Sequence, residues 1–549
     1  MFDRHYQVWP PGLPHHLEIP ERNLYENLRL TADAKPDKPA IHYYGGQLTF
    51  RELKAQVDRL AGWLSTQGLT KGDRVMLFMQ NCPQYVIAYY ATLRANGVVV
   101  PVNPMNRGKE LAHLIEDTGA KMAFAGQELL AEIAPALSTS GLKHLVVAAY
   151  ADMADPSFEI PMPKGLHDTS PQGYDIPGVT RWQDALTTDI APPPLTVGPD
   201  DLALIPYTSG SSGRQKGCMH THRTVMVTLV GGMTWIPDAL GSASLAVLPL
   251  YHVTGMQNSM NGPIYWGETM VIMSRWDRRV AADLISRYKV ARWRSISTMA
   301  IDLVNDPDLP SYDLSSLKVI GGGGAAMPEP VARKLKEITG LDYIEGYGMS
   351  ETMAPTHINP VHKPRLQCLG IPIFDVDARI IDPDTRAELG PEEPGEIIVN
   401  APQNFLGYWN DPEATKAAFI ELDGKPFLRT GDIGRYDDEG YFYIVDRMKR
   451  MVNTGGFKVW PTEVEAMIHD HPHVAEVCIV GQPDTRRGET VRAYVVKKGE
   501  LTEDELINWC RANMAAYKVP KRVVFLDALP RSPSGKMLWL ELQDHARTT

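Results

Sequence analysis

The chain has 549 residues, of which 44% are hydrophobic, and a formal net charge of -11. This length predicts at least two domains, and the absence of a basic stripe excludes nucleic acid and anionic membrane surfaces as partners. The five cysteines lie far apart without a CxxC pair, which disfavours a disulfide framework and a zinc site and indicates a reducing, cytoplasmic setting. No signal pattern begins the chain and no apolar run reaches the about 20 residues of a membrane span, so we expect a soluble protein.

Helical and strand patterns alternate from Leu48 onward. The segment RELKAQVDRLAGWLSTQG predicts an amphipathic helix, and RVMLFM predicts a short buried strand after a Gly-Asp turn. The same alternation predicts helices over 85–94 and 109–118 and strands over 98–101 and 122–125. This alternation predicts an α/β fold in which parallel strands are joined by crossover helices.

Two later regions differ from this pattern in composition and in the elements they predict. Residues 150–197 are rich in Pro, Asp and Ser, which predicts a surface loop. Residues 395–400 and 440–445 predict antiparallel strands, and 462–470 predicts a helix opened by Pro461. We therefore predict a large multi-layer domain over 1–445 and a small α+β domain over 446–549.

The segment YTSGSSGRQKG, residues 207–217, has the composition of a phosphate-binding loop. Its glycines allow tight turns and close approach of the backbone, its Thr and Ser hydroxyls are donors, and Lys216 adds a positive charge. The spacing does not meet GxxxxGK[ST], which disfavours a P-loop NTPase. A flexible linker is the alternative, but strand-like residues precede the loop and helix-like residues follow it.

This loop resembles the signature TSGTTGxPKG of the adenylate-forming superfamily, which comprises acyl-CoA synthetases, luciferases and peptide-synthetase adenylation domains. Ser211 and Ser212 replace the two threonines and keep their hydroxyls, while Gln215 stands where the family usually has proline. The resemblance continues in order through GGGGAA, YIEGYGMSET, PGEIIV, GYWNDPEAT, RTGD, DRMK and SPSGK, over nearly the full chain.

The resemblance implies binding sites for ATP, Mg²⁺ and coenzyme A. Tyr347 would stack on adenine, Ser350 would contact the α-phosphate, and Glu351 and Thr208 would ligate Mg²⁺. The residues implied in ATP and AMP binding are Thr208, Ser209, Gly210, Ser211, Ser212, Gly213, Lys216, Gly324, Ala325, Ala326, Tyr347, Gly348, Met349, Ser350, Asp432, Arg447 and Lys536. The residues implied in catalysis are Thr208, Lys216, His252, Glu351 and Lys536.

The carboxy-terminal motifs carry the roles that the family assigns to its mobile domain. Asp432 and Arg447 would hold the ribose hydroxyls, and Lys449 would be the hinge between two working orientations. Lys536 would meet the carboxylate and the α-phosphate during adenylation. The segment implied in coenzyme A binding contains Gly455, Gly456 and Phe457.

Each motif residue also has a purely structural interpretation. Glu351 could be a helix cap, Tyr347 a core aromatic, and GGGGAA a strand-to-helix turn. Lys449 and Lys536 could be surface lysines, and the two ribose residues could be ordinary salt-bridge partners. The complete ordered series favours the functional interpretation.

The segment PLYHVTGM bears on the acid substrate. In the resemblance His252 lies beside the carboxyl end of the acyl pocket, and it could instead be a structural residue at a strand end. The lack of the Asp that binds an amino group disfavours an amino-acid substrate. Met256 replaces the Trp gate of some long-chain enzymes, which leaves the chain length open.

The expected function is an ATP-dependent acid–CoA ligase that forms an acyl adenylate and then an acyl-CoA. A medium- or long-chain fatty acid is the first expectation, with an aryl acid or a short thioether acid such as methylmercaptopropionate as the alternative. A luciferase-like monooxygenase is disfavoured because Asn453 stands where luciferases have a second catalytic lysine. A non-catalytic nucleotide-binding protein is disfavoured because Lys216, Glu351 and Lys536 are all retained, and a homodimer is left open.

Overall fold

The structure is a computed structural model that describes residues 2–169, 175–187, 189–208, 215–236, 242–447, 450–454, 457–484, 487–531 and 537–549, apart from the side chains of Arg447, Phe457 and Lys458. Contacts group the chain into two compact units. The large unit comprises His5–Asp377 and Asn400–Leu428, and the small unit comprises Met1–Arg4, Ala378–Val399 and Arg429–Thr549. The domain boundary predicted near Asp446 stays a prediction.

From His5 to Asp377, the longer of the two segments of the large unit, helices and strands alternate as the sequence predicts. The strands are β1 (Pro39–Tyr43), β2 (Gly46–Thr49), β3 (Arg74–Phe78), β4 (Val98–Pro101), β5 (Met122–Gly126), β6 (His144–Ala148), β7 (Val179–Arg181), β8 (Leu202–Leu204), β9 (Tyr207–Thr208), β10 (Lys216–Gly217), β11 (His220–Thr221), β12 (Ala243–Ala246), β13 (Thr269–Ile272), β14 (Val290–Ser295), β15 (Val319–Gly323), β16 (Tyr343–Tyr347), β17 (His357–Ile358) and β18 (Ile371–Pro372). The helices are α1 (Leu24–Ala34), α2 (Phe50–Thr66), α3 (Pro83–Arg94), α4 (Gly108–Thr118), α5 (Leu130–Ile133), α6 (Ala136–Thr139), α7 (Trp182–Leu186), α8 (His222–Thr234), α9 (Val253–Gly255), α10 (Gly262–Trp266), α11 (Arg278–Tyr288), α12 (Ser297–Val304) and α13 (Glu329–Thr339).

Two mixed sheets form the body of the large unit. One has the strand order β18-β17-β16-β15-β14-β12-β13-β1-β2, and the other has the order β11-β8-β4-β3-β5-β6-β7. In the first sheet β12 is parallel to β13 and β14, β14 is parallel to β15, and β15 is parallel to β16. In the second sheet β3 is parallel to β4 and β5. The predicted α/β fold with sheets flanked by helices is therefore confirmed.

Strand β3 shows why both faces of a sheet are covered. Val75 and Leu77 belong to the core shared with helices α2, α3 and α8, whereas Met76 and Phe78 belong to a second core under α4. Successive side chains of a strand point to opposite faces, so a strand that is apolar at every position must be covered on both sides. The helix that precedes β3 begins with a capping box between Thr49 and Glu52.

The surface loop predicted over residues 150–197 is wrong for residues 179–186, which form a strand and a helix. Strand β7 adds to the edge of the second sheet, parallel to β6, and helix α7 follows it directly. Trp182 at the start of α7 is almost completely buried. The Pro, Asp and Ser residues around this short segment dominate its composition and conceal the apolar anchor.

The remaining elements lie mostly in the small unit. The strands are β19 (Asp377–Ile381), β20 (Gly395–Asn400), β21 (Phe419–Leu422), β22 (Lys425–Tyr436), β23 (Phe442–Arg447), β24 (Val452–Thr454), β25 (Phe457–Val459), β26 (Val474–Asp484), β27 (Gly488–Lys497) and β28 (Arg522–Phe525), and the helices are α14 (Pro412–Ala418), α15 (Pro461–His469), α16 (Glu503–Asn513) and α17 (Trp539–Thr548). One sheet has the order β25-β24-β27-β26 with β28 beside β27. Ile479 of β26 packs in the core with Val464 of α15, while Cys478 and Val480 pack with Leu542 of α17.

The cysteines Cys82, Cys218, Cys368, Cys478 and Cys510 are buried free thiols. Among the residues that the structure describes, no helix has the length and apolar content to cross a membrane.

Candidate active site

The glycine-rich loop is held at its base by a two-stranded hairpin. Strands β9 and β10 pair antiparallel, with Lys216 opposite Thr208. Helix α8 begins soon afterwards, with the Thr221 side chain capping it by accepting the backbone N–H of Thr224. The residues on both sides of the loop therefore belong to regular secondary structure, as the sequence predicts. Residues 209–214 lie outside the described residues, so the roles of the following residues stay predictions: Ser209, Gly210, Ser211, Ser212 and Gly213.

Lys216 is held by two residues of the GYWNDPEAT segment. Its Nζ lies 3.2 Å from the Asp411 carboxylate and 5.1 Å from the centre of the Tyr408 ring. Both ends of the ion pair are partly exposed, so its contribution to stability is small. The main effect of the ion pair is to hold the ammonium group of Lys216 beside the base of the loop.

Glu351 lies in a single 3-10 turn, Ser350–Thr352, after β16 and is buried. The Tyr408 hydroxyl donates a hydrogen bond of 2.7 Å to Glu351 Oε1, and Phe405 N donates one of 2.8 Å to the Glu351 carbonyl. Burial and the negative charge of Glu351 raise the pKa of Tyr408, so the phenol stays a donor. Tyr408 therefore contacts both the predicted phosphate lysine and the predicted metal ligand.

His220 connects the start of α8 to the turn that carries Glu351. Its Nε2 lies 2.7 Å from the Ser350 carbonyl, and its Nδ1 lies 3.2 Å from Thr224 Oγ1. A carbonyl can only accept, so Nε2 carries the proton. Burial lowers the pKa of His220 to about 4, and the ring is neutral at physiological pH.

The buried His220 predicts a specific pH dependence of stability. Its pKa falls from 6.5 to about 4 on folding, so the folded protein binds fewer protons and loses stability as pH drops from 6.5 to 4. The shift corresponds to about 3 kcal/mol. We expect His220→Gln, which keeps a donor and removes the titration, to show a shallower loss of unfolding free energy over this window. Parallel pH profiles for both proteins in chemical denaturation would contradict the prediction.

The predicted adenine site lies at the ends of adjacent parallel strands. Strands β15 and β16 pair with Gly323 opposite Gly346, and the carboxyl ends of parallel strands are where ligands bind in open α/β sheets. Tyr347 is half-buried, with its ring centre 5.7 Å from that of His357. A Cβ at Gly348 would lie 2.8 Å from the Cα atoms of Ala354 and Pro355, so the backbone packing requires glycine there.

The small residues after β15 are arranged as an open surface. Gly324 has a φ of 86°, a conformation that favours glycine, and Gly324, Ala325 and Ala326 are exposed. The segments GGGGAA and YGMSE are thus brought together by strand pairing. The contacts of these residues with a nucleotide stay predictions.

His252 lies between strand β12 and the π-helical segment, at the start of helix α9. Strand β12 ends at Ala246, so His252 is not at a strand end; it is exposed and caps the short helix α9, accepting the Thr254 N–H at 3.3 Å. Met256, four residues on, is fully buried at the start of a π-helical segment. His252 has this structural contact, and its catalytic role stays a prediction.

The carboxy-terminal site residues belong to the small unit. Asp432 is buried, and the pairing of β22 with β23 places it directly opposite Arg447. Phe457 begins β25, opposite Thr454. The other predicted residues lie outside the described residues: Lys449, Gly455, Gly456 and Lys536.

Sequence reasoning missed three residues that the structure brings into the site. Tyr408 and Asp411 lie in the segment GYWNDPEAT, for which the resemblance gave a position but no role. The aromatic and acidic residues of this segment were a signal that it contacts a charged group. His220 gave no signal, because a histidine between a strand and a helix is more often a core residue.

Comparison with known proteins agrees with this arrangement. The AMP-binding enzyme family matches residues 28–409, and the AMP-binding enzyme C-terminal domain matches residues 463–536. The long-chain-fatty-acid–CoA ligase of Bacillus subtilis (strain 168) is 34% identical over 545 residues, 96% of each chain. The feruloyl-CoA synthase of Amycolatopsis sp is 33% identical over 511 residues, 92% of this chain and 96% of that one.

Among solved structures, ATP-bound MatB from Rhodopseudomonas palustris superimposes with a TM-score of 0.83 at 29% identity, covering 96% of this chain and 99% of that one. The chain belongs to the AMP-binding enzyme family, that is, to the adenylate-forming enzymes that the sequence motifs resemble. Within this family it is an AMP-forming acyl-CoA synthetase, with CoA ligase activity.

Tyr408→Phe tests the contact between the phenol and Glu351. The ring stays beside Lys216, but Glu351 loses a donor worth about 1.5 to 3 kcal/mol, so we expect adenylate formation to slow about 10- to 100-fold. Pyrophosphate release in the absence of coenzyme A measures this step. Tyr265→Phe is the matched control, because its hydroxyl makes no hydrogen bond to the described residues; an equal loss in both variants would contradict the role of Tyr408.

Proposed function

We propose that this synthetase acts on a medium- or long-chain fatty acid, which it converts to an acyl adenylate and then to an acyl-CoA. The contacts that join Lys216, Tyr408 and Glu351 at the base of the glycine-rich loop support the adenylate step, and the 34% identity to the long-chain-fatty-acid–CoA ligase of Bacillus subtilis supports the acid. A cation and an anion held by one aromatic residue provide complementary groups for a nucleotide phosphate and its metal ion.

The first step needs such a set of charges. A carboxylate is anionic and would have to expel oxide, whereas a mixed anhydride with AMP presents a neutral acyl carbon and a good leaving group. Attack of the carboxylate oxygen on the α-phosphorus forms the acyl–oxygen–phosphorus bond and releases pyrophosphate. Lys216, the loop hydroxyls and Lys536 would offset the negative charge that accumulates at the phosphorus.

Glu351 and Thr208 would hold a Mg²⁺ ion that arrives with ATP. A single buried carboxylate fits this ion, because Mg²⁺ binds proteins through one or two carboxylates and takes its other ligands from phosphates and water. In the residues that the structure describes, no group of three acidic, His or Cys side chains could hold a metal on its own. Bound there, Mg²⁺ would neutralise charge on the phosphates.

The second step would use the other end of the chain. Attack of the coenzyme A thiol on the acyl carbon forms the thioester and releases AMP, and Lys536 has no place in this reaction. Movement about Lys449 would remove Lys536 and bring Gly455, Gly456 and Phe457 to the pantetheine path. Asp432 and Arg447 would hold the ribose in both steps.

The acid is the least constrained part of the proposal. The fatty-acid ligase of Bacillus subtilis supports an alkyl chain, and the feruloyl-CoA synthase of Amycolatopsis supports an aryl acid at nearly the same identity. An aryl acid is therefore the second candidate, and a short thioether acid is the third. A cytoplasmic location and a homodimer stay predictions.

A coupled assay of AMP release with coenzyme A distinguishes these acids. We expect turnover to require both an acid and coenzyme A, with the highest kcat/KM for alkyl acids in a panel of alkyl, aryl and thioether acids. A preference for aryl or thioether acids would overturn the fatty-acid assignment, and turnover without any acid would contradict the ligase mechanism. Light emission with a luciferin and oxygen would indicate a luciferase-like activity.

A further inference from the structure

Arg294, near the end of β14, is a buried guanidinium without a partner among the described residues. Its side chain is 8% exposed, and it makes no hydrogen bond or ion pair with any residue in the described ranges. Its Nε is fully enclosed without an acceptor. A guanidinium carries five N–H donors, and a buried charge without a partner is costly, so the described residues leave this guanidinium in need of an acceptor.

The side chain points toward the helices that follow the phosphate loop. Arg292 lies on the same face of β14 and contacts the Ile236 carbonyl, just beyond α8, at 3.5 Å. Trp293 lies on the opposite face and stacks on Trp276, with parallel rings and centres 5.7 Å apart. Because residues two apart in a strand share a face, Arg294 points to the α8 side of the sheet.

The neighbouring strand leaves room for the guanidinium. Gly321 of β15 is directly opposite Arg294, and a Cβ at Gly321 would lie 2.8 Å from Arg294 Nη1. The glycine therefore allows the guanidinium to lie against the backbone of β15. A Cβ at Gly321 would also clash with the Ile344 carbonyl oxygen, so any side chain there would disturb the sheet as well as the guanidinium.

The charges around Arg294 do not balance. Glu268 is a buried carboxylate that lies 3.5 Å from Arg292 and also accepts the Ser244 hydroxyl at 2.7 Å, and its charge acts on Arg294 as well. Two arginines thus share one carboxylate. Glu345 of β16 is already engaged, because it accepts the Gln367 N–H at 2.8 Å. Burial and the charge of Arg292 lower the pKa of Arg294 to about 10, so the guanidinium is still charged at neutral pH.

The depth of Arg294 in the sheet indicates which ligand could reach it. Register places Arg294 opposite Gly321 and Gly321 opposite Ile344, whereas the motif that carries Glu351 begins at Tyr347. Three residues of strand correspond to about 10 Å. An acid whose carboxylate is at the phosphate end of the site would reach Arg294 with the remote end of its acyl group.

We propose that Arg294 is a specificity-determining residue that binds a second oxyanion at the remote end of the acid substrate. This inference rests on the proposed ligase function and narrows the fatty acid proposed above to one that carries a second carboxylate, or an equivalent oxyanion, at its remote end, so that a plain fatty acid is the poorer substrate. The oxyanion supplies the missing acceptor through a charge-assisted hydrogen bond with the guanidinium. A plain alkyl or aryl end leaves Arg294 unpaired and is selected against.

Paired acids that differ only at the remote end test the proposal. Octanedioate is compared with octanoate and with monomethyl octanedioate, and 3-(4-carboxyphenyl)propanoate is compared with 3-phenylpropanoate, by AMP release with coenzyme A. For the pair whose carbon skeleton fits the site, we expect kcat/KM to be about 100-fold or more higher for the acid with two carboxylates than for the acid with one. The alkyl and aryl arms distinguish the two sources of the oxyanion.

The variant Arg294→Met removes the charge and keeps the bulk. We expect it to abolish the preference, by slowing the doubly charged acids and accelerating the apolar ones, while Arg287→Met, at an exposed arginine, leaves the preference unchanged. Arg294→Lys, which keeps the positive charge, should retain part of it. If Arg294→Met does not fold, we expect Arg294→Gln, which also removes the charge but keeps hydrogen-bonding groups, to make the same selective change.

Two results would overturn the inference: no preference in the wild-type protein for either pair, or an equal loss for every acid in Arg294→Met. Failure of the ligase function itself is distinguishable, because then no acid in the panel would give acid-dependent AMP.

Discussion

We expect Lys536→Ala to slow formation of the acyl adenylate about 100-fold or more, while the thioester step from supplied acyl-AMP stays close to the wild-type rate. The reason is that the lysine stabilises charge at the α-phosphorus, and removal of one such donor costs a factor of about 10² to 10³. The thiol attacks a neutral acyl carbon and has no need of it. Pyrophosphate release without coenzyme A measures the first step, and acyl-CoA formation from synthetic acyl-AMP measures the second.

Lys521→Ala is the matched control for this variant, since Lys521 is an exposed lysine fifteen positions earlier whose backbone N–H still pairs with the Val491 carbonyl. Both steps should be unchanged in the control. Equal slowing of both steps in Lys536→Ala would contradict the division of labour between the two ends of the chain.

The second large effect is expected for Glu351→Gln. Glutamine has nearly the same shape, and its carbonyl can still accept the Tyr408 hydroxyl, so the turn keeps its position while its charge is removed. If Glu351 holds Mg²⁺, adenylate formation should fall about 100- to 1,000-fold, and higher Mg²⁺ concentrations should restore part of the rate.

Glu413→Gln serves as the control, because Glu413 is exposed in the same GYWNDPEAT segment and the proposed mechanism does not use it. The rate of pyrophosphate release is measured against Mg²⁺ concentration for both variants. A Glu351→Gln enzyme with the wild-type rate at every Mg²⁺ concentration would remove Glu351 from the metal site.

The sequence could predict features that depend on local pattern. The helix predicted over 51–68 is α2, Phe50–Thr66, and the strand predicted over 74–79 is β3, Arg74–Phe78. Apolar periodicity specifies such elements directly. The strand-like residues before the glycine-rich loop and the helix-like residues after it correspond to β8 and α8, whereas the hairpin at the base of the loop was not predicted.

Contacts between distant residues could not be read in this way. Tyr408 reaches Glu351, 57 positions earlier, and His220 reaches Ser350, 130 positions later. Such pairings depend on how strands and turns are stacked in space. Arg294 gave no signal for the same reason. Its lack of a partner among the described residues is visible only in the paired strands, where Gly321 lies opposite it.

Acid-dependent exchange between ATP and pyrophosphate, in the absence of coenzyme A, tests the central claim most directly. Reversible formation of an acyl adenylate predicts that labelled pyrophosphate enters ATP only when a substrate acid is present, and that added coenzyme A then yields AMP together with the acyl-CoA. Exchange without an acid, or formation of ADP in place of AMP, would contradict the account.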